Sequence, residues 1–185
     1  QGTDAALGMA MGHVILKEFH LDNPSPYFQD YCRRLTDMPV LVRLVKNGAH
    51  YEPEYFLRAS HLAGEVSEQQ HSEWKTIVID ENTGELVVPN GSIGFRWDNS
   101  KRWNLEQRAD NTDYKAQLSI LNSRDDVLEV AFPYFDKDQD EVITHPVPVK
   151  RLIDKDGNEC FITTVFDLIV ANYGIERGLG DHNAA

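Results

Sequence analysis

The chain has 185 residues, a size that one domain fills, and its 41% apolar and 26% charged content is too apolar for a disordered chain. The formal net charge of −12 argues against nucleic acid and anionic membrane surfaces as partners, because both require a cationic footprint. No apolar run is long enough to span a membrane. Cys32 and Cys160 make neither a disulfide framework nor a four-thiolate metal site, so reduced thiols in a cytoplasmic protein are expected.

The chain opens Gln1-Gly2-Thr3-Asp4 and enters an apolar helical pattern at once, with no charged leader or cleavage motif before it. The far end, residues 180–185, stops without a closing element, so both ends read as cut. Thr3 suits an N-cap, and Asp4 suits the positive end of a helix. From Asp4 to about His20 the apolar positions, among them Leu7, Met9, Met11, Val14, Ile15 and Phe19, cover nearly the whole circumference. Such a helix is expected in a core. Gly8 and Gly12 lie four apart on one face, where they admit a close neighbour.

Asn23-Pro24-Ser25-Pro26 is a turn and a helix start, and Tyr27 to Leu35 reads as a short helix ended by Thr36-Asp37-Met38-Pro39. Residues 40–45, Val-Leu-Val-Arg-Leu-Val, form a buried strand, followed by a hairpin-type Asn47-Gly48 turn. Residues 51–64 show weak helical periodicity around Tyr55 to Leu62. Residues 74–80 and 85–88 form a hairpin around Asn82-Thr83-Gly84. Residues 115–121, 127–132, 147–153 and 160–165 are further strands, and 166–173 is a helix capped by Gly174.

This order predicts an α/β class, or α+β if the chain is an excised piece. N-terminal helices and a buried strand form one edge of an α/β layer, a large β-hairpin-rich insertion follows, and a strand and helix close the chain. The expected division is 1–64 for the first α/β portion, 65–160 for the insertion and 161–185 for the return to the layer.

Sites of ordinary metal or nucleotide chemistry are scarce. Asp136-Lys137-Asp138-Gln139-Asp140 starts like a calcium loop, but Glu141 stands where glycine is needed and Val147 where the closing glutamate is needed, so a solvated acidic loop is expected. The seven histidines show no zinc spacing, and His13 reads as a satisfied core histidine. There is no nucleophile elbow, Walker loop or dinucleotide fingerprint, and Asn90-Gly91-Ser92-Ile93-Gly94 reads as a turn. The start of the first helix is the one informative place. Free N–H groups there attract anions, and a carboxylate presented there can accept two hydrogen bonds from a guanine edge. The competing reading is that Thr3 and Asp4 only cap the helix.

Residues 1–14, Gln-Gly-Thr-Asp-Ala-Ala-Leu-Gly-Met-Ala-Met-Gly-His-Val, resemble a segment of the molybdopterin-dependent oxidoreductases of the dimethyl-sulfoxide-reductase superfamily. Glu18-Phe19-His20-Leu21-Asp22, Thr36-Asp37-Met38-Pro39, residues 88–97 (Val-Pro-Asn-Gly-Ser-Ile-Gly-Phe-Arg-Trp), Trp103-Asn104-Leu105-Glu106, Phe132-Pro133-Tyr134-Phe135, Pro148-Val149-Lys150-Arg151-Leu152 and Ala171-Asn172-Tyr173-Gly174 are similar to the alpha (catalytic) subunits of membrane-bound respiratory nitrate reductases. The resemblance runs through essentially the whole chain and implies an internal piece of a longer subunit.

It further implies a parent that carries bis-molybdopterin guanine dinucleotide with molybdenum and a 4Fe-4S cluster. That parent reduces nitrate to nitrite with electrons passed from quinol through a haem-bearing membrane gamma subunit and an iron-sulfur beta subunit. It implies a cytoplasmic location at the inner face of the membrane, held there by those partners. Gly2, Thr3 and Asp4 match the segment that lies against a guanine dinucleotide, which favours the guanine reading over the cap. No catalytic residue and no metal ligand carries over. The isolated piece is expected to bind no molybdenum, to reduce no nitrate and to act as scaffold. Alternatives are a docking module in residues 65–160 and an independent small acidic binding domain of shared ancestry.

Overall fold

A computed structural model describes residues 3–64, 66, 70–90, 105–108, 110, 112–133 and 142–179. The acidic loop at 136–141 and most of the glycine-containing turn at 90–94 lie outside these residues.

Helix α1 spans Asp4–Leu16 and continues into a π-helical segment, Lys17–Asp22, that stops at Asn23 ahead of Pro24. Helix α2, Pro26–Leu35, begins where the sequence placed it. The Ser25 hydroxyl accepts from the Phe28 amide at 3.4 Å, and Pro26 occupies a first-turn position that needs no N–H. The Thr36 hydroxyl donates to the Cys32 carbonyl at 2.6 Å and accepts from the Met38 amide at 3.2 Å, which fixes the exit.

The strands are β1 Leu41–Asn47, β2 His50–Phe56, β3 Val78–Ile79, β4 Leu86–Val87, β5 Asp126–Pro133, β6 Val142–Ile153 and β7 Glu159–Thr164. Helix α3, Val165–Asn172, follows β7 directly. β3 and β4 pair as the expected hairpin. The other five close into a barrel in the order β1-β2-β5-β6-β7. Four of its pairings are antiparallel, and β2 meets β5 in parallel at Tyr51 and Val130. Closure gives each barrel strand a partner on both sides, which removes a route to aggregation.

The β1–β2 hairpin turns at Gly48, whose φ of +61° is the left-handed conformation that favours glycine. Glu54 is an extra residue between the Arg43–Tyr55 and Leu44–Pro53 pairs, so the strand bulges there. Pro53, which cannot donate to a ladder, stands next to that bulge.

Leu44, Val130, Phe132, Val147 and Val149 form one core cluster with Ala171 of α3. A second cluster joins Leu41 and Ile162 to Leu57, Ile77, Ile79, Val88 and Ile120. A third holds Leu16, Cys32, Phe166, Val170 and Ile175, and it ties the helical segments together. Each fully buried Leu, Ile or Phe contributes roughly 1.5–3 kcal/mol.

The mixture of helices and strands is the expected one, but its geometry differs in particulars. The strand at 41–47 is part of a barrel rather than the edge of a layer. The weakly helical reading of 51–64 is wrong, because β2 and a 3-10 turn at Ala59–His61 occupy it. The Asn-Gly turn folds Tyr51 and Tyr55 back onto β1, and cross-strand pairing overrides the weak period. Residues 115–121 form no strand. One bridge from Ala116 to Asp80 precedes a 3-10 turn at Leu121–Ser123.

α1 is the largest departure. It was expected in a core, yet Leu16 is its one buried residue, and Leu7, Met11, Val14 and Ile15 are exposed. Apolar periodicity specifies that a helix needs cover. The rest of this chain covers one end of it.

Candidate functional site

α1 starts at Thr3, whose backbone lies in the helical region and whose side chain makes no capping hydrogen bond. The expectation that Thr3 caps through its hydroxyl is therefore not met. The Thr3 carbonyl accepts from the Leu7 amide at 2.9 Å, so the helix begins regularly without a side-chain cap. Asp4 is exposed in the first turn. Gly2, the third residue of the expected site, lies outside the described residues.

The C-terminal half of α1 seats on α3 through three contacts. Leu16 enters the cluster of Phe166 and Val170. The Tyr173 carbonyl accepts from Nδ1 of His13 at 2.8 Å, which requires the proton on that nitrogen. The Tyr173 ring lies over Gly12, where an added Cβ would stand 2.6 Å from its nearest ring carbon. Of the two glycines expected to admit a neighbour, Gly12 does so and Gly8 has nothing within 4 Å. His13 is the satisfied histidine the sequence suggested, held by a backbone carbonyl.

The π-helical segment places His20 edge-on to Phe166, with ring centroids 4.4 Å apart. Burial first, and then the Arg177 cation, hold its pKa below the ordinary value. Behind it lies a fully buried carboxylate. The Asp167 carboxylate accepts from Arg177, from the Ser119 hydroxyl at 2.6 Å, from the Ile120 amide at 2.9 Å and from the Thr164 hydroxyl at 2.9 Å. Its amide in turn donates to Thr164 at 3.0 Å, which caps α3. Sequence reading missed this network, although Thr164 followed three residues later by Asp167 is a helix-start signature.

Asp80 forms a second polar centre. Arg108 donates to it at 3.0 Å and the Asn82 amide at 3.0 Å. Burial works to raise the Asp80 pKa, but these hydrogen bonds outweigh it and hold the carboxyl below its ordinary range. Among the described residues the buried Tyr114 hydroxyl has no hydrogen-bond partner, and burial pushes its pKa upward, with the Asp80 charge adding to the effect.

Several surface hollows lie among the described residues. One of about 530 Å³ is lined by Val42, Tyr55, Phe56, Arg58, His61 and Leu168, and one of about 390 Å³ by His145, Ala171, Glu176, Arg177 and Leu179 among others. Neither includes Thr3 or Asp4. Among the described residues no group of three or more His, Cys, Asp or Glu is arranged to hold a metal ion. Cys32 and Cys160 are free and buried, and burial raises the pKa of both thiols. No helix among the described residues is long and apolar enough to cross a membrane.

The arrangement at α1 presents more than one kind of group to a ligand. The Thr3 hydroxyl is not used as a cap, and the Asp4 carboxylate is open to solvent. A carboxylate repels phosphate oxygens but accepts from a base edge with adjacent N–H donors. The free amides of the same first turn can donate to an anion, so the helix start offers groups for a base edge and for a phosphate alike.

No protein-family model matches the chain. Individual relatives match it closely. It is 52% identical to the "Respiratory nitrate reductase 1 alpha chain" of Escherichia coli over 196 aligned residues, which cover 100% of this chain and 16% of that protein. It is 41% identical to the "Nitrate reductase alpha chain" of Bacillus subtilis, covering 100% of this chain and 15% of the relative. It is 39% identical to the "Nitrate reductase alpha subunit" of Mycobacterium tuberculosis, covering 95% of this chain and 14% of the relative. The chain thus spans about one sixth of the length of the first of these relatives.

Proposed function

Matching nitrate reductase alpha chains from several bacteria at 41–52% identity over its whole length, the chain belongs to that family along the segment it spans, and from this premise we propose that it is a scaffold segment of a molybdenum-containing catalytic subunit that reduces nitrate to nitrite. The reaction takes nitrate, two electrons and two protons to nitrite and water. When bound, the molybdenum group supplies the two-electron chemistry, and the protein supplies binding and orientation. Electrons reach the subunit from quinol through a haem-bearing membrane gamma subunit and an iron-sulfur beta subunit. Those partners hold it at the inner face of the cell membrane. In this reading the β-rich stretch at 65–160 is built into its flanks, because β5 and β6 close one barrel with β1, β2 and β7.

This segment's share of the work is to hold part of one guanine dinucleotide with Gly2, Thr3 and Asp4. Asp4 accepts from the two N–H donors of the guanine edge, and Thr3 offers a hydroxyl that can donate or accept. The observation that carries this reading is the helix start itself, where an uncapped hydroxyl and an exposed carboxylate stand together.

The test is a titration of the purified chain with guanosine 5′-monophosphate and adenosine 5′-monophosphate, followed by amide NMR. Saturable, guanine-selective shifts at Thr3 and Asp4, with affinity on the order of millimolar, support the reading. Asp4→Ala should abolish them. Equal shifts for both nucleotides, or shifts that survive Asp4→Ala, would sink it. The purified chain alone is expected to show neither stoichiometric molybdenum nor viologen-dependent nitrate reduction.

A further inference from the structure

We infer that Tyr173, at the end of α3, is the positioning residue that sets the direction of α1 and thereby the place of Thr3 and Asp4. The consequence for the site rests on the guanine reading above. The restraint on α1 stands on its own contacts.

Between Asp4 and Met11 every residue of α1 is exposed, and Gly8 has no neighbour within 4 Å. Among the described residues the helix is therefore held from its C-terminal half alone. Leu16 is its buried anchor. His20, in the segment that continues α1, lies edge-on to Phe166 and holds the same end, so the restraint still missing is one farther up the helix. Tyr173 supplies it with two different groups. Its ring occupies the notch over Gly12, where a Cβ would come within 2.7 Å of the ring carbon and hydroxyl oxygen at its far end. Its carbonyl accepts from Nδ1 of the next residue, His13, at 2.8 Å.

Tyr173 is itself well anchored. Its amide donates to the Ile169 carbonyl at 3.0 Å, and it packs beside the cluster of Phe166, Val170 and Ile175. Gly174, with φ of +65°, then turns the chain away so that the Tyr173 carbonyl stays free of α3.

The lever is long. Gly12 stands nine positions along the chain from Thr3, about 14 Å along a helix. A small tilt at Gly12 thus moves Thr3 and Asp4 by ångströms, whereas recognition geometry tolerates roughly 0.5 Å.

The experiment compares the unmodified 185-residue chain with Gly12→Ala, Tyr173→Ala, the double variant and Tyr173→Phe. Amide hydrogen exchange reads the helix, and guanosine 5′-monophosphate shifts read the site. Gly12→Ala meets a movable ring rather than backbone, so the chain should fold. It should speed exchange in residues 7–11 by about tenfold while Val130, Val147 and Ile162 keep theirs. Tyr173→Phe keeps the ring and should behave as the unmodified chain. In the Tyr173→Ala background the added methyl has nothing to strike, so the double variant should match Tyr173→Ala alone.

An unchanged α1 in both Gly12→Ala and Tyr173→Ala overturns the inference. So does equal loosening of α1 and the barrel, or additive single effects in the double variant. Loss of nucleotide shifts in Gly12→Ala, with Asp4 intact, supports the link to the site, and retained shifts there break that link. Absence of nucleotide shifts in the unmodified chain sinks the guanine reading alone, and exchange still decides the role of Tyr173.

Discussion

Arg177 donates to Asp167 across a pair sealed from solvent, with 2% and 0% of their side-chain surfaces exposed. A pair so buried contributes through what its loss leaves behind. Removing one partner strands a charge in a low dielectric and typically costs about 3–5 kcal/mol. Here the stranding would also orphan the Ser119 hydroxyl and the Ile120 amide. Asp167→Ala is therefore expected to lower unfolding free energy by at least that range in urea denaturation. A loss below ~1 kcal/mol would place the pair with exposed ion pairs, contrary to its burial.

Tyr114 carries the opposite lesson. Its hydroxyl is buried and has no hydrogen-bond partner among the described residues, while the ring packs with Val40, Val78, Val87 and Ala116. An unsatisfied buried group is penalised by roughly 1–3 kcal/mol. Tyr114→Phe keeps the ring and removes the penalty, so unfolding free energy should rise by about 1 kcal/mol. A fall of similar size in thermal or urea unfolding would reveal that the hydroxyl has a partner in solution.

These two residues also show how far the sequence is legible. α2 and α3 are readable because their starts are local events. Ser25 before Pro26, and Thr164 before Asp167, satisfy amides within one turn. The Asn47-Gly48 hairpin is readable for the same reason. Barrel closure is not local, because it hangs on Tyr51 meeting Val130, residues far apart in the chain. β2 alternates as a strand should, with His50, Glu52 and Glu54 between Tyr51, Pro53 and Tyr55, but Pro53 inside the run argues against a strand and hides it. At the candidate site, sequence chemistry places Thr3 and Asp4 at a helix start, which is where they stand. It cannot tell that the Thr3 hydroxyl is left out of the cap, or that Gly12 rather than Gly8 meets a ring.

α1 exposes Leu7, Met11, Val14 and Ile15 as one continuous apolar surface, and α2 adds Tyr27, Tyr31 and Leu35. Exposed apolar patches drive association. The purified chain is expected to self-associate as its concentration rises, seen as a mass increase in light scattering on a sizing column. Leu7→Gln with Met11→Gln should reduce that association without lowering the melting temperature, because neither side chain is buried. A drop in melting temperature with unchanged association would show that these residues pack within the chain instead.

Acid should weaken the fold in two separable stages. His20 and His61 both have pKa values below the ordinary 6.5. For His20 burial is the main cause and the Arg177 cation the next. For His61 burial again leads, followed by Lys155 and Arg43. A depressed histidine stays neutral in the folded chain while the unfolded chain takes up a proton. Its contribution is therefore complete above about pH 6.5 and is lost as pH falls from there through the folded value. Asp80, Asp110 and Asp154 are depressed as well, but from 3.8, so their contributions persist through the histidine window and fade only at lower pH. Unfolding free energy measured in urea should thus fall as pH drops below about 6.5, and then fall again in the carboxylate range. Replacing both histidines, His20→Gln with His61→Gln, changes packing and so shifts the whole curve. The slope is the diagnostic: the first stage should flatten while the second survives. If the first stage keeps its slope in that double variant, neither histidine is its source.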